Sequence, residues 1–295
     1  MELLFAHARS LRLWWSSSRF PLSLRSGTGG QLCRLEDLSP EQRHNTHILT
    51  GYRRCRSHYE CLLSLLQWHN ETVNIWSNLL ALAFLLALLV QDHAGGRFAR
   101  LGVGLGQRAL VTAMTLSYAA MLLLSSVYHT LNCTAEARGW YRLDFAGVWL
   151  SVVAYVVGFT ALQFRGSWRV AHVVGAVFAA APSFVLAASS RYVHHRHDAA
   201  RVRAMGWFAL YSLLPLAHYA LFYGDPALVA RTLPGHVTVL LLLALSLCVF
   251  VTKFPERRWP GKVDYLGSSH QIWHVGVGIC VLLAYRIQLA YVTPL

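Results

Sequence analysis

The chain has 295 residues, 55% of them hydrophobic and only 13% charged, with a formal net charge of +13; the charged share is about half that of ordinary soluble domains. A water-soluble globule of this length needs polar residues every few positions along its helices, and stretches such as 79–90 and 237–251 have almost none, which excludes that class. The basic excess sits in the segments between apolar runs, so it reads as membrane topology and contact with anionic headgroups, and no nucleic-acid partner is expected.

In chain order, residues 1–44 form a basic N-terminal segment with Arg9, Arg12, Arg19 and Arg25 against the single acid Glu2 in its first thirty positions. Residues 1–30 have no uninterrupted apolar core of a secretory signal, their composition resembles a mitochondrial presequence, and the favoured reading is a basic segment lying on a membrane surface. Residues 45–73 are polar and mixed, and read as a membrane-proximal region with short helices. Asn70 is the expected cap of the first long helix. Seven candidate spans follow within 74–292, at about 74–92, 109–131, 143–164, 168–190, 204–223, 235–253 and 268–292, each close to the roughly 20 apolar residues that cross a bilayer core. Pro182 and Pro215 fall inside the fourth and fifth, where membrane helices tolerate kinks. The expected fold is therefore all-α, a polytopic seven-helix bundle.

Orientation follows from the basic residues. The segments sharing a face with the N-terminus hold nine, two, four and four Lys or Arg, against three, two, one and one on the other face. This places the N-terminus in the cytoplasm and the C-terminus on the opposite side. The sequons at Asn70 and Asn132 then face the cytosol and stay unglycosylated. Trp68, Trp76 and Trp273 read as interface anchors. The six cysteines show no CxxC spacing and read as reduced thiols, with Cys55 or Cys61 a juxtamembrane candidate for palmitoylation.

Titratable side chains inside apolar spans are costly and usually functional. The second span ends in Ser125-Ser126-Val127-Tyr128-His129, the third opens at Asp144, and the seventh opens with Ser269-His270-Gln271-Ile272-Trp273-His274. His270 and His274 are four apart on a helix, so both rings lie on one face at a chelating spacing. Alternation of seven helices brings the end of the second and the starts of the first, third and seventh to the same membrane face, with Glu71 and Asn74 there as well. Three imidazoles with one open position is the ligand pattern of a catalytic zinc site, so His129, His270 and His274 are the expected metal ligands. Asp144 is placed to accept a proton from water or orient it, and Ser125, four residues before His129, to hydrogen-bond a carbonyl or oxyanion. His194, His195 and His197 read as a solvated basic loop, and His218 as a cavity-lining or bundle histidine.

Asn70-Glu71-Thr72-Val73-Asn74-Ile75-Trp76, Ser125-x3-His129, Asp144 and His270-x3-His274 together resemble the progestin and adipoQ receptor family, which is related to hemolysin III. The likeness spans about 45–292. Thr50-Gly51-Tyr52-Arg53, Pro255-Glu256-Arg257 and the run 265–274 look most like member three, the Golgi-resident branch that traps Raf kinase. The resemblance implies zinc on the three histidines, a cavity for a lipid or sphingolipid ligand, a cytosolic kinase partner and a Golgi membrane location, with the plasma membrane as the alternative. In some members it also implies hydrolysis of a ceramide-like amide. Two functions stay open: a receptor or scaffold with structural zinc, and an intramembrane zinc amidohydrolase.

Overall fold

The structure, a computed structural model, describes residues 32–39, 42–54, 57–188 and 198–293. The surface segment expected at the N-terminus, His194, His195, His197 and Cys55 lie outside the described residues. Seven long helices dominate: α1 Thr72–Ala94, α2 Leu105–Leu131, α3 Ala137–Gln163, α4 Gly166–Ala188, α5 Asp198–His218, α6 Pro226–Thr252 and α7 Ser269–Val292. Six of these stretches are long and apolar enough to cross a membrane: α1, α2, α3, α6, α7 and Arg203–Tyr223, which runs from α5 through a following π-helical turn. α4 has 23 mostly apolar residues with Pro182 inside it. Among the described residues the only strand-like pairing is an isolated bridge between Cys33 and Tyr52, so the all-α membrane bundle stands.

Local chemistry sets the ends. Pro226 occupies the first turn of α6, where its missing N–H costs nothing, and the Asp225 carboxylate accepts from the Ala227 and Leu228 N–H groups at 3.0 Å each. At α1 the expected Asn70 cap is replaced. Glu71 is the N-cap residue and makes no side-chain cap, while Thr72 Oγ1 accepts from the His69 N–H at 2.9 Å. Asn70 instead uses its backbone, its N–H donating to Gly51 O at 3.0 Å and its carbonyl accepting from the Gln271 amide at 3.3 Å.

α1, α2 and α7 form the centre. Leu85, Met114, Leu122, Phe159, Val281 and Tyr285 belong to one buried cluster, which reaches α3 and α6 at its edge. Half of the apolar window of α2 and 56% of that of α7 is buried, against 17% for α6, which turns most of its surface outward. A smaller cluster of Trp149, Val156, Ala176, Ala180 and Phe208 joins α3, α4 and α5. Where water supplies no driving force, small residues let backbones approach. A Cβ on Gly276 of α7 would lie 2.1 Å from Ser246 Oγ of α6, and one on Gly158 of α3 would lie 2.3 Å from Met114 Sδ of α2.

Several polar groups inside the bundle are paired. Tyr285 donates to Asp92 at 2.6 Å, and Arg97 reaches the same carboxylate at 3.2 Å. His236 lies 2.7 Å from the Tyr155 hydroxyl and 3.2 Å from that of Tyr291. His218 meets His172 at 2.7 Å beside Trp168 and Phe164, which makes it a bundle histidine. Trp68 and Trp76 are exposed, as interface anchors require, and Trp76 Nε1 donates to Leu65 O at 3.0 Å; Trp273 packs on Phe250.

Candidate metal centre

The centre is built by helices that alternate in direction. α2 ends at one face and presents His129 in its last turn; α7 starts there and presents His270 and His274 on successive turns. His129 Nε2 stands 3.0 Å from His274 Nε2 and 3.3 Å from His270 Nε2, and one ligand nitrogen from each ring lies within 4.8 Å of the others. His129 and His274 are buried, and His270 is half-buried.

Ligands arranged tetrahedrally at ~2.1 Å from a first-row ion stand about 3.4 Å apart, close to the 3.0 and 3.3 Å that separate His129 from His274 and His270. Converging imidazole lone pairs repel one another. A shared proton relieves one pair, whereas a cation serves all three nitrogens. The residues present therefore fit a bound metal.

The rear nitrogens of two rings are engaged, as metal-bound histidines require. His129 Nδ1 lies 2.8 Å from Glu71 Oε2, so Nδ1–H donates to the carboxylate and the Nε2 lone pair faces the cluster. Glu71 is itself oriented by Asn74, whose amide donates to the same oxygen at 2.6 Å. Burial alone would push the Glu71 carboxyl upward. The imidazoles of His129 and His270 and the Asn74 amide outweigh it and hold the group well below its ordinary value. His274 Nδ1 lies 3.1 Å from the Asn78 amide. Glu71, Asn74 and Asn78 recur at i, i+3 and i+7, one polar stripe on the inner face of α1.

Asp144 and Ser125 are brought together beside the histidines. Ser125 and His129 are both close enough to act on the Asp144 carboxyl electrostatically. Every residue singled out from the sequence for this site thus converges on one end of the bundle.

Other residues were not visible as parts of the site. Arg53 is buried and donates to His129 O at 2.6 Å, Thr130 O at 3.1 Å, Asn132 Oδ1 at 2.9 Å and Ser64 Oγ at 2.6 Å, so one guanidinium closes the C-terminus of α2. Glu256, fully buried, accepts from the Ser269 N–H at 2.8 Å, from its hydroxyl, and from the Asn45 amide at 3.1 Å, holding the first turn of α7. Asp264 accepts from the Thr50 N–H and hydroxyl at 2.8 and 2.7 Å, which pins residues 49–50 to the loop before α7. Gly51 sits at φ +85° with a Cβ position only 3.0 Å from the Tyr265 ring, so this crossing admits glycine alone. The available signal was the clustering of Thr50–Arg53 and Pro255–Arg257 with the recognised motifs.

These features define a polytopic helical membrane protein with a buried three-histidine centre at one end of its bundle. Residues 66–285 match the haemolysin-III-related family, and the chain belongs to that family, which includes the progestin and adipoQ receptors. Progestin and adipoQ receptor family member 3 of mouse is 27% identical over 254 residues, covering 84% of this chain and 81% of that protein. Member 4 of mouse is 32% identical over 272 residues, covering 84% and 88%. Human membrane progestin receptor gamma is 28% identical over 270 residues, covering 86% and 78%.

Proposed function

We propose that this chain is a seven-span membrane receptor or scaffold whose His129, His270 and His274 hold one zinc ion at the cytosolic face. The observation that carries the reading is the convergence of three imidazole nitrogens from two helices, two of them oriented from behind by Glu71 and Asn78 of a third. Zinc bound there supplies a charge that ties α1, α2 and α7 together and polarises an oxygen ligand. α4 completes the seventh span, and the basic residues set the N-terminus in the cytoplasm. The progestin receptor name among the relatives, together with the sequence likeness to member three, supports a lipid ligand, a cytosolic kinase partner and a place in the Golgi membrane.

A second reading is favoured by the Ser125–Asp144 pair. In an amidohydrolase acting on a ceramide-like lipid, Asp144 takes up a proton from water and later returns it, while Ser125 donates a hydrogen bond to the amide oxygen.

The two readings separate on purified protein given ceramide. The receptor reading expects no turnover by zinc-loaded wild type. Turnover that disappears in Asp144→Ala, with fold and zinc content unchanged, establishes the enzyme instead.

A further inference from the structure

Cys61 Sγ and Cys133 Sγ lie 3.5 Å apart, although the residues are 72 positions apart in the chain. Cys61 sits on the short helix His58–Leu63 and is fully buried; Cys133 is half-buried in the turn between α2 and α3. The fold fixes both positions independently. Ser64 donates to the Cys61 carbonyl at 2.6 Å and accepts from Arg53, and Arg53 also donates to Asn132, the neighbour of Cys133. One guanidinium therefore holds the two cysteine-bearing segments together. A small cleft open to the outside reaches Cys133, lined also by His44, Tyr52, Arg53, Glu71 and Asn132. Cys133 lines that cleft, and Arg53 in the same lining bonds the side chain of its neighbour Asn132.

We propose that Cys61 and Cys133 form a redox-active dithiol, a modification site that peroxide closes to a disulfide. Bond formation needs the sulfurs to move about 1.5 Å closer, to the ~2.05 Å of an S–S bond. The Cys133 thiolate attacks one oxygen of hydrogen peroxide, the O–O bond breaks, and Cys133 becomes a sulfenic acid as hydroxide leaves and takes a proton. The Cys61 thiol then attacks that sulfur, the S–O bond breaks, and a second water departs. Two thiols lose two electrons and two protons, and one peroxide becomes two waters. The closed bond staples His58–Leu63 to the turn behind His129. On the proposed cytosolic placement of this face, a thiol–thiol pair of this kind belongs to regulation in a reducing compartment rather than to structure.

The test treats the full detergent-solubilised chain with hydrogen peroxide, digests it without reductant, and maps crosslinked peptides by mass spectrometry. The expected result is one crosslink, Cys61 to Cys133, formed in most molecules, reversed by dithiothreitol, and absent from both Cys133→Ala and peroxide-treated wild type unfolded in denaturant beforehand. Two results overturn the proposal: Cys133 oxidised to the sulfinic acid with Cys61 still a thiol, or a crosslink that pairs either residue with another cysteine. Because the wild type alone gives the mapping, a variant that fails to fold leaves the test intact.

Discussion

Two histidines of the centre are supported from behind, and the supports differ in kind. His129 is backed by a carboxylate at 2.8 Å, His274 by a neutral amide at 3.1 Å. Partners of this rank typically cost 10–100-fold in metal affinity when removed. Glu71→Gln is expected to lower zinc affinity toward the upper end of that range, because it removes charge as well as orientation, and Asn78→Ala toward the lower end. Chelator competition on the purified variants measures both; equal affinities for wild type and Glu71→Gln would show that the carboxylate serves the fold alone. The local part of this site was legible, since HxxxH places two rings on one helical face whatever surrounds them. The partners were half legible. Glu71 and Asn74 stood out as polar residues at the start of an apolar span, yet their pairing with a ring 58 residues away depends on how α1 is rotated, which periodicity does not give. Asn78 continues their stripe by one turn but lies inside an apolar run, where nothing in the sequence marks it.

At the scale of elements, the centre depends on two helix ends held by charged groups from the loops. Arg53 takes three acceptors at the end of α2, and Glu256 fixes the first turn of α7. Hydrogen bonds to a charged donor contribute about 1.5–3 kcal/mol each, and Arg53→Ala also strands buried carbonyls. Arg53→Ala is expected to destabilise the folded protein by about 3 kcal/mol and weaken zinc binding at once, read as a lower thermal midpoint and faster loss of metal to chelator. Packing sets the distance between α6 and α7. Gly276→Val places side-chain atoms where Ser246 Oγ already stands and is expected to cost about 1–3 kcal/mol by overpacking, recovered in part by Ser246→Gly in the same chain. The roles of these charges at the two ends were not readable from sequence, although Thr50–Arg53 and Pro255–Arg257 stood out by resemblance. Arg53, Glu256 and Asp264 sit in polar segments where a charge is unremarkable, and only the three-dimensional structure buries them. The long helices were legible because a bilayer imposes their length. α2, α3, α5 and α6 start a turn or more before the expected spans, as with α3, which starts at Ala137 and so carries Asp144 two turns inside the helix.

For the molecule as a whole, folding brings residues 42–54, the loop before α7 and the ends of α1 and α2 into one polar cap over the centre. His69 lies fully buried in it, with Nε2 3.2 Å from Ser64 O and Nδ1 accepting from the Glu71 N–H at 3.1 Å, so the neutral ring is satisfied on both sides. Burial, with the Arg53 charge nearby, lowers its pKa from 6.5 to about 3. Between those values the unfolded chain binds a proton that the folded chain refuses, so stability is full above pH 6.5 and falls as pH drops toward 3. The thermal midpoint of His69→Gln is expected to depend less on pH across this window than that of wild type. Unglycosylated Asn70 and Asn132 in cells would accord with the proposed orientation, and a glycosidase-sensitive mobility shift would reverse it. The central claim is tested most directly by counting zinc in the detergent-purified protein by mass spectrometry, beside the His270→Ala, His274→Ala double variant. About one zinc per chain, lost in the variant, is the predicted result; a folded wild type without zinc would contradict the metal centre.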